Sequence, residues 1–156
     1  MSWTDRLRRL TSGDPQGALV AELRTLHQRS AERAERFAAY AAQAPTPGAE
    51  RELQQLAAGE ATLTSALAQA LTERGATAVP APSPLLNGAT QNHWARIVAA
   101  MDRSRQAHDE LVRAMANLVA LDPSVAGLLD ALSRNLDAEL IALREIVARA
   151  DPHALN

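Results

Sequence analysis

The sequence predicts an all-α protein: an antiparallel four-helix bundle with a long crossover between the second and third helices. Three observations carry that prediction. Apolar residues recur at spacings of three and four over four long stretches, the period of a helix with one buried face. The apolar share is 47%, mostly Ala and Leu with only four aromatic residues, whereas strands favour Val, Ile and aromatic side chains. Proline-rich segments then divide the stretches into four.

The first helix is expected over about 15–44. It opens at Asp14-Pro15, a capping residue followed by Pro at the first helical position, and ends at Pro45-Thr-Pro-Gly48. Its stripe is Leu19, Leu23, Leu26, Ser30, Arg33/Ala34, Phe37 and Ala41. The second, about 49–74, stops at Gly75, a suitable residue just past a helix end. Residues 75–92 hold three prolines and two glycines, which makes the segment over 75–90 an extended crossover. The third helix, about 91–120, carries Trp94, Ile97/Val98, Met101, Arg105, His108, Leu111/Val112, Met115 and Leu118 on its stripe. The corner Leu121-Asp-Pro-Ser124, capped by Asp122 or Ser124, starts the fourth, about 124–150. Its stripe is Val125, Leu128/Leu129, Leu132, Leu136, Glu139/Leu140, Leu143 and Ile146/Val147. Residues 1–13 form an extension or a short amphipathic helix around Trp3, Leu7 and Leu10, and 152–156 a tail. Short links pair the helices as two hairpins, and the crossover gives the third helix the direction of the second. A weak internal repeat agrees: a shift of 78 places Leu19, Leu23, Phe37 and Tyr40 on Ile97, Met101, Met115 and Leu118.

Composition excludes several classes. A chain of 156 residues is one domain with room for a core. Net charge is −2 with both signs interspersed, so no basic face for nucleic acid is expected. All 16 basic residues are Arg, a pattern that follows GC-rich coding. Without cysteine there is no disulfide, thiolate nucleophile or Cys-ligated metal. The N-terminal residues lack the apolar run of a signal peptide, and no segment approaches the ~20 apolar residues that span a bilayer. A cytoplasmic protein with no membrane contact is expected. Neither GxxxxGK nor GxGxxG occurs, and nothing places Ser, His and Asp as a triad.

Four polar residues fall near mid-height of the helices: His27, Glu60, His108 and Glu139. Glu60 sits on the stripe of Leu53, Leu56, Leu63 and Leu67, where an unpaired carboxylate is costly. A buried ion pair of Glu60 with Arg105 is therefore expected, with Arg33 as the other available cation. His108 is expected to hydrogen-bond Glu60 or Glu139, and His27 to lie at the core boundary. His93 reads as a cap or surface residue, Trp94 as an anchor for the crossover, and Tyr40 as packing against that crossover. Two imidazoles and two carboxylates facing inward could instead hold a divalent metal. Glu60 is followed at the third position by Leu63, Glu139 by Ala142 and Asp137 by Leu140, so no Glu-x-x-His motif stands.

The run Leu56–Pro84, LAAGEATLTSALAQALTERGATAVPAPSP, resembles the second helix and crossover of rubrerythrin-like members of the ferritin-like superfamily. It keeps the Glu60 position, the Leu67 and Leu71 spacing and the closing Arg74-Gly75. NHWARIVAAM and LVALDPSVAGLLDALSRNLDAELIALREIV are similar to the third and fourth helices of uncharacterised bacterial bundles of that kind, and the likeness covers about Leu19 to Arg149. Of the family's ligands Glu60 carries over, while its histidine positions fall on Leu63 and on Leu140 or Ala142. The helix-one carboxylate would be Glu32 or Glu35, and the third helix offers Asp102 or Asp109. The resemblance thus implies a bundle that has lost its di-iron site: no catalytic residue, cofactor or metal is expected. Such a protein would act by self-association, as a homodimer, or by binding a protein partner in a stress-related or scaffold role. The alternative is a divergent iron or manganese protein using Glu60, His108, Glu139 and His27 for peroxide or ferroxidase chemistry. A third reading is a small-molecule binder between the helices.

Overall fold

A computed structural model describes residues 14–79 and 92–150, which form four α-helices and, among the described residues, no strand. Helix α1 spans Pro15–Ala42, and Asp14 caps it by accepting the Gly17 amide at 2.9 Å. A side chain on Gly17 would press on the Asp14 carboxylate, which would have to shift to make room. Helix α2, Pro47–Thr72, is capped by Thr46, whose hydroxyl accepts the Ala49 amide at 3.2 Å. Past its last residue the chain turns away at Gly75, which adopts φ +68° while the Ala76 amide reaches back to the Leu71 carbonyl at 2.9 Å.

Helix α3, His93–Leu121, starts at Asn92, whose side chain accepts the Ala95 amide at 2.8 Å. Asn92 is thus the cap, and His93 is the first helical residue. Asp122 accepts the Ser124 amide at 2.9 Å and leads through the 3-10 turn Pro123–Val125 into α4, Ala126–Ala150. The helices begin and end within two residues of the expected positions, and α2 starts two residues early because Thr46 is its cap. The expected N-terminal helix (1–13), most of the crossover (80–90) and the tail lie outside the described residues.

Helix α1 packs along α2 and α3 along α4, with further contacts between α2 and α4 and, fewer, between α1 and α3. Two apolar clusters result. One gathers Leu19 and Leu23 of α1, Leu67 and Leu71 of α2, Leu111 and Leu118 of α3, and Leu129, Leu132 and Leu136 of α4. The other gathers Phe37, Tyr40, Leu53, Ile97, Leu143 and Ile146. Each fully buried large side chain contributes on the order of 1.5–3 kcal/mol, as an upper bound. Tyr40 belongs to this second cluster, packed among helical residues, while Trp94 is 41% exposed. On every helix the residues between the two clusters are where the polar side chains turn inward.

Candidate functional site

Six side chains make up that inward polar layer: Ser30 and Arg33 of α1, Glu60 of α2, Ser104 of α3, and Asn135 and Glu139 of α4. Glu60 and Ser30 are 0% exposed, Glu139 and Ser104 1%, and Arg33 9%. One Glu60 oxygen, Oε2, accepts from the Ser30 hydroxyl at 2.5 Å and from Arg33 Nη2 at 3.0 Å. The other, Oε1, accepts from the Asn135 amide at 2.8 Å, and the same amide group donates to Glu139 Oε1 at 3.1 Å. Ser104 donates to Glu139 Oε2 at 3.0 Å. All four helices therefore meet in one hydrogen-bonded network.

The two carboxyl groups differ in charge. Burial pushes Glu139 up, and the hydrogen bond to Glu60 and the Glu60 charge add to this, to about 9, against smaller opposing effects of Arg33 and Ser104. Burial also acts to raise Glu60, but the Glu139 proton, the Arg33 charge and the Ser30 hydroxyl outweigh it and hold Glu60 below the usual carboxylate value. At neutral pH the pair therefore shares one proton, carried by Glu139 and donated to Glu60. Its single negative charge faces the Arg33 guanidinium, the arrangement that makes a buried ion pair tolerable.

The expected partner of Glu60 is corrected. Arg105 stands outside, its side chain 52% exposed and 3.9 Å from Asp102, and Arg33 takes its place. The reason is register. Ile97, Ser104, Leu111 and Leu118 recur every seven residues on the buried face of α3, with Ala100 beside them, which turns position 105 away. The same rotation corrects His108, which meets neither carboxylate: its Nε2 lies 3.1 Å from Asp137, near the surface. His27 is buried at 8% rather than at the boundary, its Nδ1 has no partner, and burial lowers its pKa, so the ring is neutral. Glu139 does face inward.

Ser30 stood on its stripe without a role assigned, and Asn135 and Ser104 are the site residues that the helix stripes missed. Both left a signal. Asn135 lies one turn before Glu139, and Ser104 holds the seven-residue spacing of Ile97, Leu111 and Leu118. Gly59 also serves the layer, since a side chain there would stand 3.0 Å from the Asn135 carbonyl oxygen.

A second, peripheral latch closes one end. Arg74 donates to the Ala70 carbonyl at 2.7 Å, to Asp122 at 2.7 Å and to the Ser124 hydroxyl at 2.8 Å, tying the end of α2 to the α3–α4 corner. The Ser124 hydroxyl, Arg74 and the Ser124 amide hold the Asp122 carboxyl down at about 2. At the surface Arg29 pairs with Glu110 and Arg149 with Glu52.

No protein-family model matches the chain, and no curated protein or solved structure matches it either. The di-iron site that the ferritin-like resemblance would imply does not fit these residues. The expected ligands are dispersed, with His108 on Asp137 and only Glu60 and Glu139 sharing a site. Among the described residues no group of three or more His, Cys, Asp or Glu is placed to hold a metal ion. A guanidinium already supplies the positive charge beside the two carboxyl groups. Among the described residues, no helix is long and apolar enough to cross a membrane.

Proposed function

We propose that this chain is a ferritin-like antiparallel four-helix bundle, with its crossover between α2 and α3, in which an Arg33–Glu60–Glu139 network stands in the place of a di-iron site. The protein is non-enzymatic and works by association, as a homodimer or with a protein partner. The carrying observation is Arg33 seated on Glu60: a fixed organic cation neutralises the carboxyl pair that would otherwise call for a metal. Association is supported by apolar side chains turned to solvent on the paired helices α3 and α4, Val112 at 50% and Ile141 at 58% exposure.

The test combines elemental mass spectrometry with molar mass by light scattering. Protein would be produced with added iron and manganese, as wild type, Glu60→Gln and Arg33→Met. The expected result is sub-stoichiometric metal in all three and a wild-type mass of twice the 16.7 kDa chain or more. Near-stoichiometric metal in wild type that disappears in Glu60→Gln would overturn the reading in favour of an oxidase. A monomer with no partner would overturn the association half alone.

A further inference from the structure

Helices α1 and α3 meet over fewer residues than the other packed helix pairs, and a cleft opens between them. Its inner part, about 190 Å³, has a floor of Leu26, Leu111, Leu118, Leu132 and Leu136, and Glu22 and Arg113, of opposite charge, also line it. Its outer part, about 300 Å³, is walled by Arg29, Arg33, Arg36 and Arg103 with Glu32 and Glu110. Arg29, Arg33, Ala107 and Glu110 line both parts, so the leucine floor and the arginine-rich mouth are continuous. Small side chains at Ala107 and Ala114 keep the seam open.

Three observations define what fits. First, Arg33 is more than nine-tenths buried, yet its guanidinium makes one hydrogen bond, from Nη2 to Glu60, and its Nε has no partner. A buried guanidinium with unused donors is under-satisfied, and Arg33 lines both parts of the cleft. Second, the arginines outnumber the acids. Four guanidinium groups face Glu32, Glu110 and the Glu60 behind Arg33, which leaves one positive charge in surplus. Arg36 registers the crowding: burial lowers its pKa, and the Arg103 charge lowers it further. Third, the inner part compares with the ~150 Å³ apolar cavity that holds benzene, so it suits one ring or a short chain. One surplus positive charge suits a monoanion, and the planar fork of arginine matches a carboxylate.

We propose that the α1–α3 cleft is a binding site for a small amphipathic carboxylate. The ring or short alkyl chain lies on Leu26, Leu111, Leu132 and Leu136, and the carboxylate accepts from Arg33, with Arg36 and Arg103 at the mouth. The cleft lies within one chain, so the site stands whether or not the protein dimerises.

The test titrates the full chain with hexanoate and benzoate, and with hexanol and benzyl alcohol as neutral counterparts, by calorimetry and ligand-observed NMR. The acids are expected to bind one per chain and about tenfold or more tighter than the alcohols, the preference a charge-assisted contact gives. Arg36→Gln with Arg103→Gln should bring the acids toward the level of the alcohols and leave the alcohols unchanged. Ala107→Trp fills the junction of the two parts and should abolish binding of both, with the thermal melt confirming a folded chain. Equal binding of acid and alcohol would overturn the proposal. So would acid binding that survives in folded Ala107→Trp, or no binding at millimolar ligand.

Discussion

Replacing Glu139 by Gln should flatten the dependence of stability on pH above neutrality. Glu139 holds its proton up to about pH 9 in the folded chain, against an ordinary value of 4.5. Between those limits the folded chain binds one proton more than the unfolded chain. The contribution is therefore complete below pH 4.5 and is lost as pH rises toward and through 9. Glu60, with its lowered pKa, works the other way and only on the acid side, where its stabilisation is lost as pH falls below the usual carboxylate range. His27 and His93 also have lowered values, both first through burial, so their stabilisation is lost on the acid side, as pH falls below the ordinary imidazole value. Of these shifted groups, Glu139 is the one whose stabilisation is lost between pH 7 and 9. One proton at about 1.4 kcal/mol per pH unit, tapering as the folded group begins to ionise, amounts to about 2 kcal/mol over the window. For a chain of this length that is a fall in Tm of about 4–8 °C. In Glu139→Gln the neutral amide can donate to Glu60 as the carboxyl proton does, so the melt at pH 7 should stay within about 1–2 kcal/mol of wild type and change little to pH 9. The assay is thermal unfolding by circular dichroism at half-unit steps of pH. A wild-type curve that is flat over the window, or a variant that falls in parallel with it, would refute the shared proton.

Glu60→Ala should cost about 3–5 kcal/mol by denaturant unfolding, because it strands the Arg33 charge and the Ser30 and Asn135 donors in the interior. Arg105→Ala should change stability by no more than about 0.5 kcal/mol in the same assay, since its guanidinium stands in solvent. Gly59→Ala gains about 1 kcal/mol of helix propensity, yet the new methyl presses on an Asn135 held between two carboxyl groups. Its net effect should fall short of that gain in the wild type and reach it in an Asn135→Ala background, a coupling that a double-mutant cycle reads directly. The Asp122 carboxyl should titrate near pH 2 by carbon-13 NMR, and Arg74→Ala should move it back toward the ordinary aspartate value.

Most of the helical plan was legible because it rests on local chemistry. Asp14-Pro15 and Arg74-Gly75 mark a start and a stop through capping and backbone rules that need no tertiary information. The rotation of each helix was less so. On α2 and α4 the leucines are dense enough to fix the buried face, and both Glu60 and Glu139 fall where the stripe puts them. On α3 the stripe is thin, with Ala100, Ser104 and Ala107 in its middle, and Met101, Arg105 and His108 look equally able to define a face. A displacement of one residue, about 100° of rotation, separates Arg105 from Ser104. That single step turned a buried hydroxyl into a supposed buried cation and sent His108 inward. Asn135 escaped for a different reason: it flanks the α4 stripe and becomes a site residue only because two carboxyl groups from separate helices converge on its amide.

The placement of that convergence has a consequence for how the helices find their register. Leucine can face leucine at many heights, and two apolar clusters stacked along Ala- and Leu-rich helices distinguish poorly between neighbouring registers. The polar layer removes that freedom. Shifting α1 by one turn, about 5.4 Å, would carry Arg33 and Ser30 away from Glu60 and leave an ionised carboxylate against apolar side chains. Shifting α4 would take Asn135 from Glu60 and separate Glu139 from Glu60 and Ser104. Every such slip exposes a buried charge or an unpaired donor to an apolar surrounding, a cost of several kcal/mol against a total stability of about 5–15 kcal/mol. An apolar layer of equal volume could match the native state in stability, but it would impose no such penalty on the alternatives. The network of Arg33, Glu60 and Glu139 thus selects one arrangement of four otherwise forgiving helices, whatever the bundle binds.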